Sequence, residues 1–398
     1  MGRLFAGRGT CDRLGKQRRC AERWDAEHGG RSAALKRPSV NALRREELPL
    51  ARLARGHRRG SRLGSSRQLH NRWCKRPGAG ADERVETRPV LVSVRLVWEG
   101  EVGMGTKARV RLVESEDDRR LRVQVAGNGD RVILAQVGTP NAGVLFEPWV
   151  ADAAARGLSL VTYDRPGYGG SSSRPGRTVA DCVTDIRAIA DALGFSRCAV
   201  WGFSGGGPHA LACGALAADL VAAVATIGSP APPDASGLDY FAGMSDEARE
   251  DQVLFRTDRA GWERVSAQQR EASLALTTTG LADSWSAGKA QVDRAALHGE
   301  FGTWLHGAVQ AGLARVIDGW LDDNVAIFYA PWGFEPASIA VPVKVWHGAQ
   351  DRFVPYTHGR WLAEHIQGAT ADLNEADGHL TVAAERIGDV HEWLSRHL

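Results

Sequence analysis

The feature that most constrains the fold of this chain is a glycine-flanked serine between an apolar strand and a helical segment. Residues Gly202-Phe203-Ser204-Gly205-Gly206 form the pattern G-x-S-x-G, directly after the apolar run CAVWGF. A serine at the apex of such a sharp turn has a strained backbone, so the residues two positions before and after it must be very small. Gly202 and Gly206 meet that requirement. The pattern predicts that Ser204 is an accessible nucleophile at a strand-to-helix turn.

Two other interpretations of this glycine-rich segment are an ordinary turn and a phosphate-binding loop. An ordinary turn with an incidental serine is disfavoured, because an apolar strand precedes the segment and a helix-type sequence follows it, which is the context expected for a nucleophile. A phosphate-binding loop is disfavoured because no lysine follows and the spacing G-x-G-x-x-G is absent.

Strand and helix patterns alternate along the chain from about residue 121. Leu121–Ala126 and Val132–Val137 read as strands joined by a Gly-Asn-Gly-Asp turn of hairpin type. Trp149–Arg156 and Thr178–Leu193 read as helices, the second closed by Gly194. This alternation predicts an α/β fold with a doubly wound, mostly parallel sheet.

A long segment without strand patterns separates Ser204 from the late strand Val343–Trp346. Ser204 to Asp351 spans 147 residues, whereas two strand–helix crossovers need only about 60–70. We therefore expect a helical cap over residues 231–337, inserted into a core made of residues 104–230 and 338–398. The cap is rich in large apolar residues, which favour an apolar substrate or simply pack the cap: Trp262, Trp285, Trp304, Trp320, Phe328, Trp332 and Phe334.

Residues 1–103 differ in character from the rest. Lys and Arg outnumber Asp and Glu before Met104, and the reverse holds after it. Without helical or strand periodicity, this basic segment is expected to have little stable structure. A start of translation at or near Met104 explains it best; an arm that contacts nucleic acid through Arg55–Arg62 and an organellar leader are the alternatives. No nucleic-acid partner is expected.

Cysteine spacing and hydropathy indicate the compartment. The six cysteines form no C-x-x-C pair and no zinc-ligand spacing. No apolar run approaches the roughly 18 residues that cross a bilayer, and the first residues lack the apolar stretch of a signal peptide. We expect a reduced, cytoplasmic protein with no metal site and no membrane span, whose oligomeric state the sequence leaves open.

The G-x-S-x-G turn and the segments after it resemble the α/β-hydrolase superfamily, over about residue 121 to the C-terminus. The closest branch by pattern is that of capped serine esterases and proline-iminopeptidase-like enzymes. In this superfamily an acid follows a late strand, and a histidine follows near the end of the chain. The resemblance therefore implies that Asp351, in VPVKVWHGAQDRFVP, and His379, in the turn Gly378-His379-Leu380, act with Ser204.

Each of these assignments has competitors. Asp377 is close to His379 in sequence, but we interpret it as a solvated turn residue. His209 and His347 are expected to be structural. His358 and His365, in the helix after Asp351, are expected at the surface. Further upstream, Asp322 and Asp323 are interpreted as capping or solvated residues, and Asp164 and Arg165 as residues of turn geometry and packing.

Acyl transfer also needs hydrogen-bond donors for the oxyanion. One is expected to be the main-chain N–H of Gly205. The resemblance implies a second donor in the loop after Val132–Val137, where the family usually has His-Gly and this chain has Val137-Gly138. Because Pro140 has no N–H, the second donor is predicted to be Thr139.

These residues predict a serine hydrolase that cleaves an ester or related acyl bond of a small, largely apolar molecule through an acyl-enzyme, without a cofactor. A proline-iminopeptidase-like aminopeptidase and a carbon–carbon bond hydrolase use the same residues and remain alternatives. A non-catalytic ligand-binding protein and a cofactor-free oxygenase on the same fold are the further alternatives.

Overall fold

The described part of the chain comprises residues 97–101, 108–244, 246–286 and 290–398 of a computed structural model, and it contains one sheet of nine strands. The strands are β1 (Val97–Glu101), β2 (Arg109–Glu114), β3 (Arg120–Ala126), β4 (Val132–Gln136), β5 (Ser159–Tyr163), β6 (Cys198–Phe203), β7 (Val221–Ile227), β8 (Val343–Gly348) and β9 (Thr370–Asn374). Their order across the sheet is β1-β2-β3-β5-β4-β6-β7-β8-β9.

The sheet is parallel from β5 to β9, whereas β1, β2 and β3 form an antiparallel edge. Successive residues of the central strands face opposite sides of the sheet. In β4, Val132 and Leu134 join one hydrophobic cluster, while Ile133 and Ala135 join the other. Both faces are therefore covered, and the predicted mostly parallel α/β sheet is confirmed.

The hairpin predicted between β3 and β4 is wrong. Strand β5 lies between them and pairs with β3 in antiparallel and with β4 in parallel orientation. The Gly-Asn-Gly-Asp segment is thus a connection between strands that are not neighbours. The hairpin at this edge joins β2 to β3, where Ser115 N–H donates to the carbonyl of Arg119 and Asp118 has a φ of 59°.

Strand β1 lies upstream of Met104, so the described sheet crosses the boundary predicted from the change in charge. The expectation of little stable structure before that boundary otherwise falls on residues outside the described part of the chain.

Twelve α-helices are described in these same ranges. They are α1 (Glu147–Ala155), α2 (Cys182–Leu193), α3 (Gly206–Leu216), α4 (Asp246–Thr257), α5 (Arg259–Ala275), α6 (Thr278–Ser286), α7 (Gln291–Leu297), α8 (Glu300–Leu313), α9 (Asp318–Asn324), α10 (Tyr356–His365), α11 (His379–Glu385) and α12 (Ile387–Ser395). Helix α2 ends as predicted at Gly194, whose φ of 78° suits glycine. No described helix is long and apolar enough to cross a membrane.

Helices α4 to α9 all lie between β7 and β8, and we call this stretch the helical insertion. It ends in a π-helix, Val325–Tyr329, and a short 3-10 helix, Pro336–Ser338. One of the aromatic residues of the insertion, Trp304, packs against the sheet domain. It is buried among Phe146 and Trp149, and its indole N–H donates to the carbonyl of Val144. These contacts join the insertion to the sheet domain.

Candidate active site

Ser204 lies between β6 and α3 with a φ of 52°, a left-handed conformation that is costly for any residue with a side chain. The two flanking glycines allow it. A methyl group at Gly206 would overlap the carbonyl of Gln136, and one at Gly202 would overlap the carbonyl of Gly206. The turn is fixed further by the Ser204 N–H, which donates to Ile227 O at 2.8 Å. The strained serine is thus held at the carboxyl end of the sheet.

The structure brings Ser204, His379 and Asp351 into one hydrogen-bonded chain. His379 Nδ1 lies 2.6 Å from Asp351 Oδ2, and His379 Nε2 lies 3.0 Å from Ser204 Oγ. Because the carboxylate can only accept, Nδ1 carries the proton and the lone pair of Nε2 faces the serine hydroxyl. This is the arrangement in which a histidine can take a proton from a serine.

Asp351 is held as an ionised acceptor on the loop after β8. Its second oxygen, Oδ1, accepts from the main-chain N–H groups of Phe353 and Val354, both at 2.8 Å. Burial alone would raise the pKa of this carboxyl, but its electrostatic interaction with His379 and the hydrogen bonds from His347 and His379 outweigh it. The pKa of Asp351 therefore lies well below its ordinary value, and the group stays charged where it faces the imidazole.

The imidazole ring of His379 is closely packed by one glycine and two aromatic rings. Gly228, at the end of β7, has a φ of 57°, and a methyl group there would lie 3.0 Å from His379 Nδ1. The rings of Phe203 and Phe353 lie 5.1 and 5.0 Å from the imidazole. Gly228 was missed from sequence, since a single glycine after a strand carries no signal of what packs against it.

The predicted oxyanion donors lie next to each other beside the serine. A methyl group at Gly205 would lie 2.8 Å from Thr139 Cγ2, and one at Gly138 would lie 3.3 Å from Ser204 Cβ. In the part of the chain that the structure describes, neither Gly205 N–H nor Thr139 N–H forms a hydrogen bond. Two unused donors beside a nucleophile suit a developing oxyanion.

The loop that carries Thr139 is anchored by Arg165. Its guanidinium donates to the carbonyls of Val137 at 2.6 Å and Gly138 at 3.3 Å, and it pairs with Asp323 at 2.6 Å. Arg165 was interpreted from sequence as a residue of turn geometry and packing, so its contact with this loop was missed.

Asp323 is wholly buried, which corrects its interpretation as a capping or solvated residue. Arg177 also pairs with it, at 2.6 Å. Burial opposes ionisation, yet the charges of Arg165 and Arg177 hold the pKa of Asp323 far below its usual range. A residue of the helical insertion thus balances two buried cations, one of which, Arg165, binds the Thr139 loop.

His209 supports the serine turn from the helix side. Its Nδ1 lies 3.0 Å from the carbonyl of Gly205, so Nδ1–H donates. Burial and the charge of Arg165 lower the pKa of His209 to about 3. A buried histidine that is neutral near neutral pH agrees with the structural role expected for it.

Two of the competing residues lie where the sequence did not place them. Asp377 is buried and pairs with Arg386 at 2.7 Å, rather than being solvated. His358 is also buried: it accepts from Ala231 N–H and donates to the carbonyl of Tyr240. Within the described part of the chain, neither side chain hydrogen-bonds to Ser204 or His379. His365 is exposed, as expected.

Comparison with known proteins identifies the fold family. A sequence model of the alpha/beta hydrolase fold matches residues 131–380. No curated protein sequence matches the chain. Among solved structures, bromoperoxidase from Bacillus anthracis is similar at 21% identity and a TM-score of 0.55, over 72% of this chain and 99% of that one.

Two further structures show the same likeness. A thermophilic esterase from Thermogutta terrifontis is 19% identical with a TM-score of 0.54, over 73% of this chain and 100% of that one. The enol-lactonase from Burkholderia xenovorans LB400 is 21% identical with a TM-score of 0.50, over 72% and 98%. At these identities the likeness establishes the fold alone. Since the family model matches more than half of the sequence, the chain belongs to the alpha/beta hydrolase fold family.

Proposed function

We propose that this protein is a serine hydrolase that cleaves ester or related acyl bonds through an acyl-enzyme. The observation that carries the proposal is the hydrogen-bonded chain from Ser204 through His379 to Asp351. In the first step Ser204 Oγ attacks the substrate carbonyl while its proton passes to His379 Nε2. The oxyanion accepts hydrogen bonds from the N–H groups of Gly205 and Thr139.

Collapse of this intermediate breaks the acyl–oxygen bond, and the leaving alcohol takes the proton from Nε2. His379 then takes a proton from water, which attacks the acyl-enzyme, and returns it to Ser204 as the acid leaves. Asp351 keeps the ring in the required tautomer and stabilises the imidazolium. No step calls on a group from outside the chain other than water.

A small, largely apolar substrate is the second part of the proposal. The side chain of Ile327, in the π-helix of the insertion, lies 3.1 Å from the Cβ position of Gly205. Phe203 and Phe353 flank the imidazole. These apolar side chains beside Gly205 and around the imidazole favour an apolar acyl group. Structural neighbours named as esterases and as a lactonase accord with cleavage of an acyl–oxygen bond.

A cytoplasmic location also remains part of the proposal. It is supported by three buried cysteines in the free form, Cys182, Cys198 and Cys213. The partner expected there is the small-molecule substrate.

The proposal is tested by turnover of a panel of p-nitrophenyl esters from acetate to octanoate, with a proline p-nitroanilide and a vinylogous 1,5-diketone beside them. Ester hydrolysis is expected, and Ser204→Ala should reduce it by about 10⁴-fold or more. Ser196→Ala, at an exposed serine, is the matched control. Ester turnover that survives in Ser204→Ala, or turnover of the anilide or diketone alone, would overturn the proposal.

A further inference from the structure

Asp293, in helix α7 of the helical insertion, contacts the first turn of the helix that begins with His379. Its Oδ2 accepts from His379 N–H at 2.9 Å. Its Oδ1 accepts from the N–H groups of Leu380 at 2.8 Å and Thr381 at 3.2 Å. The carboxylate is wholly buried. One side chain, 86 residues away in sequence, therefore binds three consecutive amides of α11.

These amides are the donors that a helix leaves free at its N-terminus. A helix usually satisfies them with the side chain of its own N-cap residue. Here the N-cap is Gly378, which has no side chain, and a methyl group there would overlap the Asp293 carboxylate. The insertion thus supplies the cap that the local sequence lacks.

The charge of Asp293 has no other compensation in the described residues. None of their Arg, Lys or His side chains forms an ion pair with it. A buried carboxylate in this setting depends on the three charge-assisted hydrogen bonds and on the positive end of α11. The carboxylate is therefore tied to the main chain of His379 and of the two residues after it by three hydrogen bonds.

We propose that Asp293 is a positioning residue for His379, and that through it the helical insertion sets the alignment of the base with Ser204. This inference rests on the proposed function of Ser204 and His379. Asp351 holds the ring of His379 and Asp293 holds its main chain, so the residue is held at both its side chain and its backbone. Loss of Asp293 lets the first turn of α11 move, and with it the 3.0 Å contact between Nε2 and Ser204 Oγ.

The test compares kcat and KM of Asp293→Ala with those of the parent full-length protein, at a temperature where circular dichroism shows both to be folded. We expect kcat to fall by about 100-fold, the effect of a displacement near 1 Å, with KM within about twofold. Asp283→Ala, at an exposed aspartate of α6, is the charge-matched control and should leave both constants unchanged. Asp293→Asn, which keeps one acceptor oxygen, should restore part of the loss.

Gly378→Ala tests the same contact from the other side. Its methyl group displaces the carboxylate, so kcat should fall as it does in Asp293→Ala. The double variant should be no slower than Asp293→Ala alone, because the methyl group then has room. Gly378→Ala alone serves if Asp293→Ala does not fold, and a folded Gly378→Ala that keeps the parent kcat would then overturn the inference. Fully additive losses, or a folded Asp293→Ala that keeps the parent kcat, would overturn the inference.

A second readout does not depend on turnover. The low-field proton resonance of His379 Nδ1–H, assigned by its loss in His379→Gln, should be present in the parent and in Asp283→Ala but shifted or lost in Asp293→Ala. If this resonance is unchanged in Asp293→Ala, Asp293 does not position His379. That conclusion holds whether or not Ser204→Ala retains activity, so it is separate from a failure of the proposed function. Conversely, loss of activity in Ser204→Ala with an unaffected Asp293→Ala leaves the function and removes the inference.

Discussion

The guanidinium of Arg165 and the carboxylate of Asp323 form a buried ion pair, with 2.6 Å between Nη2 and Oδ2. It joins the loop after β5 to the last turn of α9. Because the same guanidinium binds the carbonyls of Val137 and Gly138, this pair also fixes the loop that carries Thr139. The insertion thus contacts the surroundings of the site here and at Asp293, as well as through Ile327.

Arg165→Lys tests the anchoring of the Thr139 loop. An ammonium keeps the charge but cannot reach both carbonyls and the carboxylate together as the planar fork does. We expect kcat to fall by about 100-fold, the cost of a poorly aligned oxyanion donor, with little change in KM. Arg174→Lys, at the half-exposed pair with Asp181, is the control and should keep the parent kinetics. Parent kcat in a folded Arg165→Lys would contradict the anchoring.

The choice of acid is tested by two aspartates near His379. Asp351→Asn removes the acceptor that holds Nδ1–H, so turnover should fall by about 10⁴-fold. Asp377→Asn removes the pair with Arg386 and should cost about 1–2 kcal/mol of unfolding free energy while keeping kcat. Steady-state kinetics and urea unfolding measure both effects. The reverse pattern would assign the acid to Asp377.

Gly228→Ala separates backbone strain from contact with the imidazole. Gly228 and Gly157 both have positive φ, 57° and 68°, so alanine at either should cost about 1–2 kcal/mol of stability. Only at Gly228 does the new methyl group meet His379; at Gly157 it meets nothing within 4 Å. Gly228→Ala should therefore lower both kcat and stability. Gly157→Ala should lower stability alone. Equal kcat in the two variants would show that the ring is not held there.

Stability at acid pH should depend on His358. Burial lowers its pKa to about 4 in the folded state, below the 6.5 or so of an unfolded histidine. Between these values the unfolded chain binds a proton that the folded chain does not. The free energy of unfolding should fall as pH falls, by up to about 1.4 kcal/mol per pH unit from this residue. His358→Gln should flatten that slope in urea titrations, whereas His365→Gln, exposed on the same helix, should leave it unchanged.

The serine turn could be predicted from sequence because its requirements are local. The strand, the serine and the small residues around it, Gly202 and Gly206, are adjacent in the chain, and their steric reason needs no distant partner. The α/β fold and the superfamily, which were inferred from such local patterns, are confirmed by the family match. The esterase or iminopeptidase branch stays a prediction. His358 could have been placed correctly as well, because it lies four residues before the buried Leu362 on the same helix face.

The remaining features depend on contacts between distant segments. The turn between β3 and β4 has hairpin chemistry, but β5 takes the place between them, and no turn sequence encodes that choice. Likewise Arg165 meets a carboxylate 158 residues away, and Asp293 meets amides 86 to 88 residues away. Single aspartates in helical segments carry no pattern that distinguishes such partners from solvated residues.

The most direct test of this account is the site at which the enzyme is acylated. Intact-mass and peptide mass spectrometry after reaction with a fluorophosphonate should find one adduct, on Ser204, formed much more slowly in His379→Ala and absent in Ser204→Ala. An adduct on any other residue, or an ester-hydrolysing enzyme that leaves Ser204 unmodified, would contradict the central claim that Ser204 is the nucleophile.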